Sequence, residues 1–381
     1  MKTHRVAIVG LGYSQVGRGL GLSERELSRQ AFQAAIDDAG MQASDIDGIT
    51  AMGGGMSLDI AYTLGMSPVN WYSDCMAGPA FVQPACQAIA AVASGYAHTV
   101  AAFRVINQMP SFGARGASDA PTPPRTAPGD QQFSAPFGSG ASAATIGGWE
   151  MQRYMARFGA TEEHFALNAV NQRYHASLND DALLREPITV DDYFAARYIS
   201  KPARLFDCDY PVDAGSVVIF TTEERARNWR TKPVFVEASA LSAIAALDFA
   251  LLPEQSQTAP WYCGEQLWDR TDLRASDVDV AELYDGFTII TFQWLEGLGF
   301  CGAGEAKDLV KEGHTRLGGS IPLNTDGGAC NVGRRHGANF CIEATRQLRG
   351  ECGERQVPGA EVAVWSNAVG PFGGVVLLTA N

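Results

Sequence analysis

The chain has no apolar run near the ~20 residues that a membrane-spanning helix needs. Its N-terminus, MKTHRVAIVG, passes straight into strand-like sequence in place of a signal-peptide core, so a soluble, cytoplasmic protein with no membrane partner is expected. Positive charge is scarce as well: 29 lysines and arginines stand against 42 acids, a formal charge of -13, and no basic run interrupts that balance. Nucleic acid is therefore not an expected partner. The eight cysteines (75, 86, 208, 263, 301, 330, 341 and 352) include no Cys-x-x-Cys pair and no Cys/His cluster at zinc-ligand spacing, so no metal site is expected. Nor does a 381-residue chain that is 46% hydrophobic need a disulfide framework to hold a core.

What is present is a strand-helix rhythm that runs twice. Arg5 to Gly10 reads as a short buried strand, and Ser23 to Gly40 as an amphipathic helix opened by a Ser-x-x-Glu capping box and closed at glycine. Ile46 to Ala51 gives a second strand, broken by Gly53, Gly54 and Gly55. An alanine-rich helix from Ala77 to Ser94 then leads to a strand at His98 to Ile106. From Asn107 to about Gly148 the composition turns to Pro, Gly, Ser and Ala without periodicity, an excursion expected to lie over a functional site. Helical spacing resumes over Trp149 to Leu178, and a β-rich run follows at Ser216 to Thr222.

The second half begins again with a strand at Pro233 to Ala240, a helix near Glu265, a strand at Val278 to Leu283 and a helix over Thr288 to Gly297. A long helix is predicted over Gly333 to Arg349, then a closing strand pair at Glu361 to Ser366 and Gly374 to Thr379. Two similar halves point to a duplicated α/β fold with layered helices and mixed sheets. Residues 1–106 and 215–230 would form the N-terminal half, 107–214 the excursion, and 231–381 the C-terminal half.

Five strings in this order resemble the thiolase superfamily, in its thiolase-like lipid-transfer-protein (sterol-carrier-protein thiolase) branch. They are FDCDYPVDAG (206–215), AELYDGF (281–287), NTDGGACNVGRRHG (324–337), EATRQLRG (343–350) and GPFGGVVLL (370–378). The resemblance implies a five-layer αβαβα thiolase fold, usually dimeric, with an acyl-CoA entering between central helices. It also names the positions at which to look for chemistry.

A thiolase nucleophile is a cysteine at the start of a central helix, where free N–H groups lower a thiol's pKa. That position falls on Ala77 or Gly78 here, and Cys75, just upstream, is the possible substitute. In ELYDGF, Tyr284 stands where related enzymes place Asn or His; a phenol can donate to an oxyanion or exchange a proton. Asp285 is expected to cap the helix that follows it. The thiolase Gly-His-Pro histidine corresponds to Arg334, with His336 two residues on; Arg334 could orient a thioester oxygen and His336 move a proton. The terminal WSNAVGPFGG lacks the second thiolase cysteine, leaving glycines such as Gly373, together with Gly78 on the N-terminal side, as backbone donors for an oxyanion.

Without a covalent cysteine, a fold that stabilises an acyl-CoA enolate can still break a carbon-carbon bond by a retro-aldol route, with no metal or organic cofactor. The resemblance to aldolases that cleave steroid side-chain β-hydroxyacyl-CoA thioesters implies this activity and a tyrosine at position 284. Those enzymes use a second tyrosine where this chain has Arg334. The same resemblance implies a homodimer, or a heterotetramer with a DUF35 protein carrying an OB-fold and a zinc ribbon. Two other readings stay open: a thiolase-type acyltransferase using Cys75, and a non-catalytic acyl-CoA or lipid-binding protein.

Overall fold

Strand β1 (Val6–Tyr13) is buried along all but its last residue, the pattern of a central strand covered on both faces. The computed structural model describes residues 3–52, 57–66, 68–75, 80–107, 143–244 and 258–381. Helix α1 (Glu24–Ala39) starts at Ser23, whose hydroxyl accepts from Glu26 N–H at 3.2 Å, and stops at Gly40 in the left-handed conformation. The expected capping box forms only in part, because the Glu26 carboxylate turns instead to Arg29 and Gln30. There follow β2 (Gly48–Met52), α2 (Ser57–Thr63), β3 (Trp71–Cys75), α3 (Val82–Ser94) and β4 (Thr99–Asn107). The triplet Gly53 to Gly55, Ala77 to Pro79 of the expected helix, and 108–142 of the excursion lie outside the described residues.

Where one helical stretch is predicted from Trp149, the structure has two, α4 (Ala143–Phe158) and α5 (Glu162–Ser177), separated by Gly159 at φ 70°. A small two-stranded sheet, β5 (Tyr198–Ser200) with β6 (Ala203–Arg204), precedes the long strand β7 (Asp213–Thr222). The second half contributes β8 (Val234–Ala243), α6 (Ala259–Trp268), β9 (Val280–Glu282), α7 (Thr288–Gly297), α8 (Ala329–Val332), α9 (Ala338–Arg349), β10 (Val362–Val369) and β11 (Phe372–Thr379). The helix predicted from Gly333 is thus broken. Gly333 (φ 96°), His336 (φ 51°) and Gly337 (φ 90°) have left-handed backbones that no right-handed helix can contain.

The strands run β3-β2-β4-β7-β1 in the first half and β8-β11-β10-β9 in the second, joined through β1 and β8 at Ala7–Phe235 and Ile8–Val234. In each half the last strand lies antiparallel between two others: β7 between β4 and β1, β11 between β10 and β8. The halves therefore repeat one topology, except that the second half's third strand is reduced, among the described residues, to one parallel bridge from Leu323 to Ala281.

Packing arranges these elements in five layers. Helix α1 covers the outer face of the first half, where Phe32 meets Phe103, and α6 and α7 cover the outer face of the second, around Phe292 and Trp294. Between the halves lie α3, which touches strands of both, and α9. Phe81, Val92, Val218, Phe340 and Trp365 fill that middle layer. Burying apolar surface of this extent is the dominant favourable term in folding.

Candidate active site

Strand β9 is only three residues long, and the chain leaving it is held by one side chain. Asn324 Oδ1 accepts from Leu283 N–H at 2.6 Å, and its Nδ2 donates to Leu283 C=O at 2.8 Å, immediately before Tyr284. The Tyr284 N–H donates to Ser366 Oγ at 3.3 Å, and the ring stands edge-on to Phe340, with centroids 6.1 Å apart. A Cβ on Gly286 would come within 2.7 Å of the Tyr284 hydroxyl, so glycine is required for the ring to fold back. Burial and nearby Asp209 raise the phenol well above its ordinary range, with Arg334 pulling the other way, so Tyr284 rests protonated.

Asp285 does not cap the helix after it, as predicted; Phe287 occupies that position. Its Oδ1 instead accepts from Ala329 N–H at 2.8 Å, at the start of α8 and 44 residues away. Full burial pushes this carboxyl up to about 8. The loop carrying His336 is thereby tied to the loop carrying Tyr284.

His336 sits between Gly333 and Gly337. A Cβ at Gly337 would lie 2.3 Å from the Asn367 side chain, and the His336 carbonyl accepts from Phe81 N–H at 3.0 Å, beside the start of α3. Arg104, on β4, reaches the ring from the opposite half: Nε and Nη2 lie 3.3 and 3.1 Å from His336 Nδ1, while Nη1 donates to the Met52 carbonyl at 2.7 Å. Burial and the positive charges of Arg104 and Arg334 hold the imidazole well below its usual range, which keeps it neutral.

Tyr284 and His336 both line one cavity of about 250 Å³, whose walls include Met52, Ile146, Phe287 and Phe372. Two polar rings thus line one cavity in largely apolar surroundings, where hydrogen bonds to developing charge are strong. Glu150, a buried carboxylate on α4, also lines the cavity and accepts from Gln293 Nε2 at 3.1 Å.

The other sequence-predicted residues stand elsewhere. Arg334 does not line the cavity; its guanidinium faces Asp209 at 3.6 Å, and burial pushes that carboxyl up to about 6 against the pull of Arg334. Cys75 ends β3, seven residues before α3, and its thiol donates to Gln87 Oε1 at 3.2 Å. Burial and Asp74 push that thiol up to about 11, the reverse of what a nucleophile needs. Gly373 sits in the β11 ladder between Ala368 and Ser242, with Trp294 against it, next to Phe372 on the cavity wall. Gly78 lies outside the described residues. Among the described residues, no group of three or more His, Cys, Asp or Glu could hold a metal ion, and no helix is long and apolar enough to cross a membrane.

Sequence reasoning missed Arg104 and Asn324. The available signal for the first was a lone arginine inside an apolar strand, HTVAAFRVI, where a buried cation needs a partner. Nothing local marks Asn324, because its partner is the backbone of another segment.

A family model described as "Thiolase C-terminal domain-like" matches residues 251–377. The chain is 33% identical to the 17-hydroxy-3-oxo-4-pregnene-20-carboxyl-CoA lyase of Mycobacterium tuberculosis, over 99% of this chain and 100% of that one. It is 32% identical to the steroid side-chain-cleaving aldolase of Thermomonospora curvata, over 97% of each chain, and 30% identical to an acetyl-CoA acetyltransferase of Methanothermobacter thermautotrophicus. Among solved structures, the Ltp2-ChsH2(DUF35) aldolase matches with a TM-score of 0.87 and 30% identity, covering 99% of this chain and 98% of that one.

Proposed function

Because the chain belongs to the thiolase superfamily, beside its steroid side-chain-cleaving aldolases, and is a carbon-carbon lyase, we propose that it cleaves a β-hydroxyacyl-CoA, of a steroid side chain, into a ketone and a shorter acyl-CoA. The observation that carries this reading is that protonated Tyr284 and neutral His336 line the same largely apolar cavity.

Retro-aldol cleavage moves one proton from the β-hydroxyl to the α-carbon and leaves the enzyme unchanged. In this reading Tyr284 exchanges both protons. Its oxygen takes the β-hydroxyl proton as its own passes to the α-carbon, and the bonding pair of the broken bond resides meanwhile in the thioester enolate. His336 holds the enolate oxygen, and Arg334, paired with Asp209, adds positive potential behind it. No step in this scheme calls for a cofactor. The acyl-CoA substrate and a DUF35 partner are supported by the names of the relatives, and we extend the reading to a homodimer or a heterotetramer with that partner.

The test is to incubate the protein, alone and with a DUF35 protein, with a steroid β-hydroxyacyl-CoA and follow products by mass spectrometry. Ketone plus shortened acyl-CoA with no mass added to the protein is expected. An acyl adduct on Cys75 would replace this reading with the acyltransferase one, and binding without turnover would leave an acyl-CoA-binding protein.

A further inference from the structure

Arg104 presents a physical puzzle. It is a half-buried arginine inside an otherwise apolar strand, and among the described residues no carboxylate lies within ion-pair distance of it. Its donors go to the Met52 carbonyl and to a single nitrogen of His336. A guanidinium only donates and stays protonated at any physiological pH, so the nitrogen it faces must present a lone pair. A neutral imidazole with its lone pair at Nδ1 carries its proton at Nε2. The same ring lines the cavity, and with Nδ1 taken, Nε2 is the nitrogen left for a ligand there.

A histidine acting as base offers substrate a lone pair; this one offers an N–H. Protonating it instead would set a second N–H against the Arg104 guanidinium, with Arg334 also close enough to oppose the charge. The backbone restricts the ring further, through the left-handed φ of 51° and the Phe81 N–H bond to the His336 carbonyl.

We propose that Arg104 is a positioning residue that locks His336 as the neutral Nε2–H tautomer, so that His336 serves as a hydrogen-bond donor to the thioester oxygen and never as the base. This rests on the retro-aldol reading above. No proton is transferred at His336 at any point. As the bond between the α- and β-carbons breaks, its electron pair moves into the enolate, the oxygen gains charge against Nε2–H, and that charge leaves when the α-carbon is protonated. All proton traffic falls to Tyr284, and an arginine some 230 residues away in sequence decides the division of labour.

The experiment pairs a readout that needs no substrate with one that does. A nitrogen-15 histidine spectrum of the wild-type protein is expected to show His336 with its proton on Nε2 and no titration between pH 5 and pH 8. In Arg104→Met the ring is expected to mix its two neutral tautomers, while burial and Arg334 still keep it uncharged. With a cleaved β-hydroxyacyl-CoA, Arg104→Met is expected to lower kcat about 100- to 1,000-fold, the effect of losing a preorganised donor, with KM changed by no more than a few-fold. Arg104→Lys is expected to restore part of kcat, since one ammonium N–H can still reach Nδ1. His336→Gln, which can keep an oxygen toward Arg104 and an N–H toward the cavity, is expected to outperform His336→Glu.

A wild-type proton on Nδ1, or a wild-type His336 that titrates near neutrality, overturns the proposal without any variant having to fold. Cleavage that proceeds at the parental kcat in Arg104→Met, with the tautomer unchanged, also overturns it while leaving the retro-aldol reading intact. Absence of cleavage in the wild-type protein despite an Nε2–H ring would instead remove the retro-aldol reading, and the role assigned here would fall with it.

Discussion

The two halves share one strand order, yet they treat its third position differently. In the first half that strand is complete: β3 pairs with β2 over five residues and ends in Cys75, whose thiol is buried, hydrogen-bonded to Gln87 and protonated. In the second half the corresponding chain pairs at a single bridge beside Ala281, and Asn324, immediately after it, turns left-handed to clamp the chain before Tyr284. Regular ladder hydrogen bonds satisfy the backbone but leave nothing to aim. Where the ladder is given up, side chains must satisfy the backbone, and the loops they hold can carry chemistry. Among the described residues, the first half's contribution to the cavity is correspondingly modest: Met52 and Ala80 on its wall, and Arg104 acting through His336.

The largest effect expected from this contrast is at Tyr284. Replacing it with Phe keeps the edge-on contact to Phe340 and the backbone bond to Ser366, and removes only the hydroxyl. Ketone formation should fall about 100- to 10,000-fold, the usual worth of a positioned proton-transfer group. Unfolding midpoints should stay close to the parent. Turnover at the parental rate would move the chemistry away from the irregular half altogether.

Next comes the clamp itself. Asn324→Ala strands both the N–H and the C=O of buried Leu283, each worth about 1–3 kcal/mol when left unpaired. A stability loss of roughly 2–5 kcal/mol in denaturant unfolding is expected. If the variant is no less stable, the second half does not depend on this substitution for a strand.

A subtler test uses the acids buried in that irregular region. Asp285 has a folded pKa of about 8 against an unfolded value near ~3.9, so the native state holds its proton more tightly. The stabilising contribution is fully present below about pH 4, drains away as pH rises, and is gone above the folded pKa. Asp285→Asn keeps an acceptor for Ala329 N–H but has no proton to lose. Its stability relative to the parent should therefore rise between pH 5 and pH 8.5, by a few kcal/mol in order of magnitude. Parallel stability curves would show that Asp285 stays ionised, through solvation that its surroundings do not suggest.

The same contrast explains how far the sequence could be read. Helix α7 is found at its predicted bounds, Thr288–Gly297, and α1 has both predicted caps, because apolar spacing and a capping serine are local signals. The Gly333 to Arg349 stretch has helical spacing too. Its first five residues are nevertheless not helical, since periodicity records which side chains are apolar and says nothing of backbone handedness. Tyr284 and His336 were legible as residue types at positions the family resemblance singles out. The tie from Arg104 to His336 was not, because it joins two halves through the middle layer. Asp285 shows the same limit: it does not cap the helix that follows it, and its carboxylate instead accepts from the Ala329 N–H, 44 residues downstream, a partner that no local spacing marks.

The smallest effect is expected at Cys75, and its smallness is informative. A nucleophilic cysteine needs a thiolate, and this thiol is pushed to about 11 by burial and by Asp74. At pH 7 the thiolate fraction implied by a pKa of that order is only about one in ten thousand. Its partner Gln87 also accepts from Ser73 and Thr50, so removing the thiol leaves no buried acceptor unpaired. Cys75→Ala should therefore cleave substrate within about twofold of the parent and lose only the ~1 kcal/mol typical of a small buried truncation. A large kinetic loss, or a trapped acyl group on Cys75 in the parent, would mean that the regular half carries the chemistry after all. It would also require some rearrangement that brings positive charge to a thiol now flanked by a carboxylate.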